Sequence, residues 1–138
     1  MKFSQWLRIG VFVFASAALQ LSLIQGAAAA PYTAEDMQSE CEAVLSSAKA
    51  TADPDAVELD NTFSTGTCWG AFLSVQQIVT LKLSGAKRTM FRVCLPEDMS
   101  LVKIIQIFDA YMKRHPERQD EPFTVVAIGS LSETYRCK

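Results

Sequence analysis

Apolar residues recur at helical spacing in four stretches, separated by polar, proline-bearing or glycine-bearing connectors. The most legible is "LVKIIQIFDAYMKR", where Leu101, Ile104, Ile105, Phe108, Tyr111 and Met112 follow one another at steps of three, one, three, three and one. Lys103, Gln106, Asp109 and Lys113 lie opposite, so the pattern predicts an amphipathic helix with one buried face. Pro96 stops any extension of "MFRVC", Ser100 or Asp98 can cap the helix, and Pro116 ends it.

The other three stretches are read the same way. Thr33 followed by Asp36 is a capping-box variant, and Met37, Cys41, Val44 and Ala48 then mark a first helix over roughly residues 34–50. A second helix is expected from Thr65 or Gly66, with Cys68, Phe72, Val75 and Val79 in one stripe, widened by Ala71 and Ile78. Gly66 and Gly70, four apart, suggest close approach of a neighbouring helix or only a loose first turn. Trp69 sits off the stripe, as a partly buried aromatic at the core edge rather than a partner anchor. Pro122 suits the start of a fourth helix carrying Phe123, Val126, Ala127, Ser130 and Leu131. Within it Gly129 is a weak point, costing ~1 kcal/mol relative to alanine. "VVAI" alone reads as a strand, but no second strand of quality exists to pair with it. The expected fold is all-α, a small four-helix bundle of antiparallel neighbours.

The N-terminus changes the domain count. "MKFSQWLR" carries Lys2 and Arg8 and leads into an apolar run closing on "QGAAAAP". That run is about 16 residues, short of the ~20 a spanning helix needs, and its small-residue end is of the kind signal peptidase cleaves. Residues 1–29 are therefore expected to be a cleaved signal peptide, and residues 30–138 one helical domain of an exported, periplasmic protein with no membrane attachment after cleavage. Loss of Lys2 and Arg8 takes the 13 basic residues to 11 against 15 acidic ones, a net charge of −4. Without a clustered basic footprint, nucleic acid is not an expected partner.

Four cysteines in a small exported chain read as a disulfide framework rather than as chemistry. "TGTCWGAF" raises the question of a thiol nucleophile at Cys68, but such a thiol needs a supported base. The only histidine, His115, stands at a helix end before proline, the place of a helix-terminating residue. Spacings of 27, 26 and 43 residues, with no CxxC hook, speak against zinc. If the first two helices run antiparallel, Cys41 and Cys68 sit at similar heights. Cys94 precedes the third helix and Cys137 follows the fourth, so an antiparallel pair brings those two together. Of the three possible pairings, Cys41–Cys68 with Cys94–Cys137 is the one this topology favours.

"GTCWGAFLSV", then "FRVCLPEDMSLVKIIQIFDAYMKRHPE", then a helix closing on "YRC" resembles the Rap/Tai-type immunity proteins of bacterial type VI secretion systems. The likeness runs from about residue 35 to 137. Gly66, Cys68 and Gly70 match the opening of the family's second helix, Cys94 and Pro96 its Cys-x-Pro, His115 and Pro116 its His-Pro, and Cys137 its terminal cysteine. The chain departs at Ala71-Phe72, where a tyrosine is common, and at Arg136, which replaces a usual proline. The resemblance implies a non-enzymatic, cofactor-free homodimer that binds a peptidoglycan amidase effector and blocks its active-site cleft. Two charged connectors are the candidate contacts: the acidic one with Asp53, Asp55, Glu58 and Asp60, and the one with Arg114, His115, Glu117 and Arg118. Two rival classes remain at this level. One is a periplasmic chaperone or stress protein releasing an apolar face in acid, the other a hydrolase with Cys68 free.

Overall fold

A computed structural model describes residues 31–51, 57–82 and 84–138. The signal-peptide reading of residues 1–29, and Asp53 and Asp55, lie outside the described residues. Among the described residues four helices carry the fold: α1 (Ala34–Ser47), α2 (Phe63–Thr80), α3 (Leu101–Arg114) and α4 (Phe123–Thr134). Two short strands, β1 (Lys49–Ala50) and β2 (Val57–Glu58), pair antiparallel between α1 and α2, with Lys49 opposite Glu58.

Each helix starts where its local chemistry allows. Thr33 Oγ1 accepts the Asp36 N–H at 3.1 Å while the Asp36 carboxylate accepts the Thr33 N–H at 3.1 Å, so the capping box closes with aspartate in the glutamate position. Ser100, not Asp98, caps α3 through the Lys103 N–H. Thr62 caps α2, which therefore begins at Phe63, two or three residues ahead of the expected start at Thr65 or Gly66. α1 ends at Ser47, sooner than expected, because Ala48 turns to extended backbone and the chain enters β1. Pro122 takes the N-cap position of α4 rather than its first turn. "VVAI" is helical within α4.

All six apolar positions of the α3 stripe are buried. Against them pack Val44 and Met37 of α1, Phe72, Val75 and Val79 of α2, and Val126 and Leu131 of α4. At the centre Phe72, Phe108 and Phe123 meet edge to face, with centroids 5.2, 5.1 and 5.6 Å apart, the arrangement ring quadrupoles prefer. Trp69 is half-buried against this core. The Gly66–Gly70 spacing marks no helix contact, since a Cβ at either position meets nothing within 4 Å.

Both favoured disulfides are present and no cysteine is free. Cys41–Cys68 ties α1 to α2 inside the core, and Cys94–Cys137 ties the approach to α3 to the segment after α4. Beside the second bridge the Cys94 N–H donates to Tyr135 O and the Cys137 N–H to Arg92 O, both at 2.8 Å. α3 and α4 therefore run antiparallel, with this ladder at one end and the connector 115–121 at the other. A thiol nucleophile at Cys68 is excluded by its bond to Cys41.

Candidate partner-binding surface

The connector between α3 and α4 is built, not merely spanned. Lys113 and Arg114 in the last turn of α3 suit the negative end of the helix dipole. The His115 N–H is shared between Tyr111 O at 3.0 Å and Met112 O at 3.1 Å, closing the helix before Pro116 opens a single 3-10 turn, Pro116–Arg118. Arg118 then folds back. Its Nε donates to Glu121 Oε1 at 2.8 Å, its Nη2 to Glu121 Oε2 at 2.6 Å, and its Nη1 to the Tyr111 hydroxyl at 2.5 Å. The guanidinium also lies 5.6 Å from the centre of the Tyr111 ring. Gly129 of α4 leaves room for this group, since a Cβ there would stand 3.3 Å from Nη1.

The far side of the connector docks on α1. Ala34 N–H donates to Glu121 O at 2.9 Å and Glu35 N–H to Gln119 O at 3.1 Å. Phe123 N–H donates back to Tyr32 O at 2.9 Å, and Thr33 and Pro122 form an antiparallel bridge. Two of the four N–H groups a helix start leaves unpaired thus find carbonyls on this loop. The hydrogen bond from Arg118 holds the Glu121 carboxyl below its ordinary value, and Arg118 holds its proton more firmly than a free arginine, first through Glu121 and then through Tyr111.

What the loop presents outward is a small charged surface. His115 stacks on Tyr111 with ring centres 4.3 Å apart, and its Nδ1 lies 3.1 Å from Glu117 Oε1. The Glu117 carboxyl is held low by its own backbone N–H first and by His115 second. Arg114 Nη2 lies 3.6 Å from Glu133 Oε1, both side chains more than half exposed, so that pair adds little rigidity. Of the four basic-loop candidates, Arg118 is spent on the scaffold, while Arg114, His115 and Glu117 remain available.

The acidic connector is a different object. Glu58 closes the two-residue β pair, and Asp60 is fixed through its backbone, its N–H reaching Ser47 Oγ at 3.4 Å and its carbonyl accepting the Thr62 N–H at 3.0 Å. Both carboxylates are exposed. This connector leaves the C-terminus of α1, whereas residues 119–121 dock on its N-terminus. Fourteen residues of helix put the two sites about 20 Å apart. The structure does not bring the two candidate loops together.

One feature of this corner escaped the reading of the sequence. Phe63, at the first position of α2, is 84% exposed, an aromatic with the size of a contact residue and no core to enter. The signal was available, because Phe63 lies off the Cys68–Phe72–Val75–Val79 stripe and its neighbour one turn on is Thr67. Among the described residues no helix is long and apolar enough to cross a membrane, and no group of side chains could hold a metal ion.

Searches of curated proteins and of solved structures return no match. A family model described as Rap1a immunity proteins matches residues 33–137, from the capping threonine of α1 to the last half-cystine, taking in all four helices and both disulfides. The chain therefore belongs to the Rap1a immunity protein family, whose members' role implies binding of a cognate effector.

Proposed function

We propose that this chain, exported to the periplasm after removal of residues 1–29, protects the cell as a homodimer against a peptidoglycan amidase delivered by a type VI secretion system. It does so without chemistry of its own, by covering the amidase's active-site cleft. The observation that carries the choice of surface is the connector 115–121. Clamped by Arg118 and docked on α1, it enters a cleft without first losing conformational freedom, which is the usual cost of binding through a loop. His115 and Glu117 stand at its outer face, with Arg114 beside them. The acidic corner, with Glu58, Asp60 and the preceding Asp53 and Asp55, contributes mainly by steering encounter with a basic rim. Phe63 gives that corner an apolar contact.

The test is inhibition of a purified peptidoglycan amidase of the type VI effector class. The purified, oxidised chain is expected to stop release of peptidoglycan fragments near one chain per enzyme. Undiminished release at a large molar excess would reject the reading.

A further inference from the structure

At the end of the α3–α4 pair away from connector 115–121, two arginines share an open cleft of about 300 Å³ with Phe91 and Ser132. They are Arg92 and Arg136, and the Cys94–Cys137 ladder is what brings them together. Val93 bridges Arg136, Cys137 N–H donates to Arg92 O, and each arginine stands within two residues of its half-cystine. The turn beneath is buttressed from inside. Arg92 N–H donates to Thr89 O at 3.1 Å, and the buried Thr89 hydroxyl donates to Val93 O at 2.9 Å.

Two further observations point to a ligand. Arg92 holds φ at 56°, a left-handed conformation that side-chain-bearing residues adopt rarely and that clusters at binding sites. The four ion pairs among the described residues all lie elsewhere, so both guanidiniums are exposed and without a carboxylate. The segment from Leu81 to Pro96 holds four basic residues and no acidic one; Glu97 and Asp98 follow it, and Glu133, three residues before Arg136, is paired with Arg114.

We propose that this cleft is a carboxylate-binding site, taking an acidic side chain and its apolar neighbour from an extended segment of a protein partner. Guanidinium forks match the two oxygens of a carboxylate. Phe91, 36% exposed, offers the apolar neighbour a face, which a bare inorganic anion would not use. The volume stands at the small end of ligand sites, suited to one or two residues rather than to a folded element. The site lies at the C-terminal end of α4 and connector 115–121 at its N-terminal end, and Glu133, next to the lining residue Ser132, reaches Arg114 at 3.6 Å.

The experiment is a titration of the purified, isotope-labelled full chain, followed by backbone amide shifts, with an acetyl-Leu-Glu-Leu-amide probe and its glutamine counterpart. The glutamate peptide is expected to move the amides of Arg92, Val93, Ser132 and Arg136, and the glutamine peptide to bind roughly tenfold more weakly. Arg92→Gly keeps the left-handed backbone at no steric cost and removes the guanidinium. It should fold as well as the parent and lose roughly tenfold in affinity, as should Arg136→Gln, while Lys87→Gln outside the cleft should not. Equal binding of the two peptides, or unchanged affinity in both arginine variants, would overturn the proposal. So would a response only to inorganic phosphate or only to phosphatidylglycerol vesicles.

Discussion

Two charged connectors, 115–121 after α3 and 48–62 after α1, look alike in the sequence as polar, solvated segments. In the structure they differ in where the charges go. In the first, Arg118 turns inward, to Glu121 and Tyr111, and the loop carbonyls Gln119 O and Glu121 O take up the start of α1. In the second, the carboxylates of Glu58 and Asp60 stay outside and the fixing is done by a two-residue ladder and backbone hydrogen bonds. A charged loop is held in one shape when one of its long side chains is given up to anchor it. Arg118 is the residue given up here.

The largest break in that contrast is Arg118→Ala. It removes three hydrogen bonds and leaves the Tyr111 hydroxyl and the Glu121 carboxylate to water, so a loss of about 1–2 kcal/mol is expected in urea unfolding at neutral pH. Gly129→Ala sharpens it. Helix propensity alone favours alanine by ~1 kcal/mol, but the new methyl meets the clamped Arg118 Nη1. The substitution should be near neutral in the parent and stabilising in an Arg118→Ala background. A double-mutant cycle that finds the two changes additive would show that the guanidinium is not held where described.

Acid separates the connectors next. Glu121 and Asp36 both have carboxyl values held low in the folded state, Glu121 by Arg118 and Asp36 by Thr33. A depressed folded-state value gives stability that is complete above the ordinary values, 4.5 for Glu121 and 3.8 for Asp36, and lost as pH falls through the lower folded ones. Unfolding followed downward from those values should show a shallower loss in Arg118→Ala, because the Glu121 share has already gone. The smallest expected effect is at the other connector. Glu58→Ala and Asp60→Ala should leave the unfolding midpoint unchanged, as exposed side chains away from packing usually do.

Much of the frame could be read before the structure because it is local. The α3 stripe, the Thr33–Asp36 box and the helix order that pairs the cysteines all depend on spacing along one chain. The Arg118 clamp is not local in this sense. Arg118 and Glu121 stand three apart, but nothing in their spacing says that Pro116 and the 3-10 turn carry the guanidinium back onto Tyr111 and into the space left by Gly129. The glycine was legible as a weak helix position, and its reason was not. The docking of residues 119–121 on α1 joins segments more than eighty residues apart, and no pattern announces it. Arg92 and Arg136 are an instructive middle case. Once Cys94 is paired with Cys137, the adjacency of the arginines follows from the sequence, although basic residues scattered along the chain looked unrelated. Phe63 has no place in the expected α2 because the apolar stripe points to a start at Thr65 or Gly66, while the Thr62 cap sets it at Phe63.

The proposed division of labour between the connectors is tested most directly by reversing charge at each and measuring inhibition of the proposed amidase target. Glu117→Lys changes the outer face of the clamped loop and leaves the Arg118 contacts in place. It should raise the inhibition constant roughly a hundredfold, as at a contact hot spot. Glu58→Lys with Asp60→Lys should slow association and leave the inhibition constant far less affected. Full inhibition by Glu117→Lys alongside its abolition by the Glu58 and Asp60 pair would contradict the account.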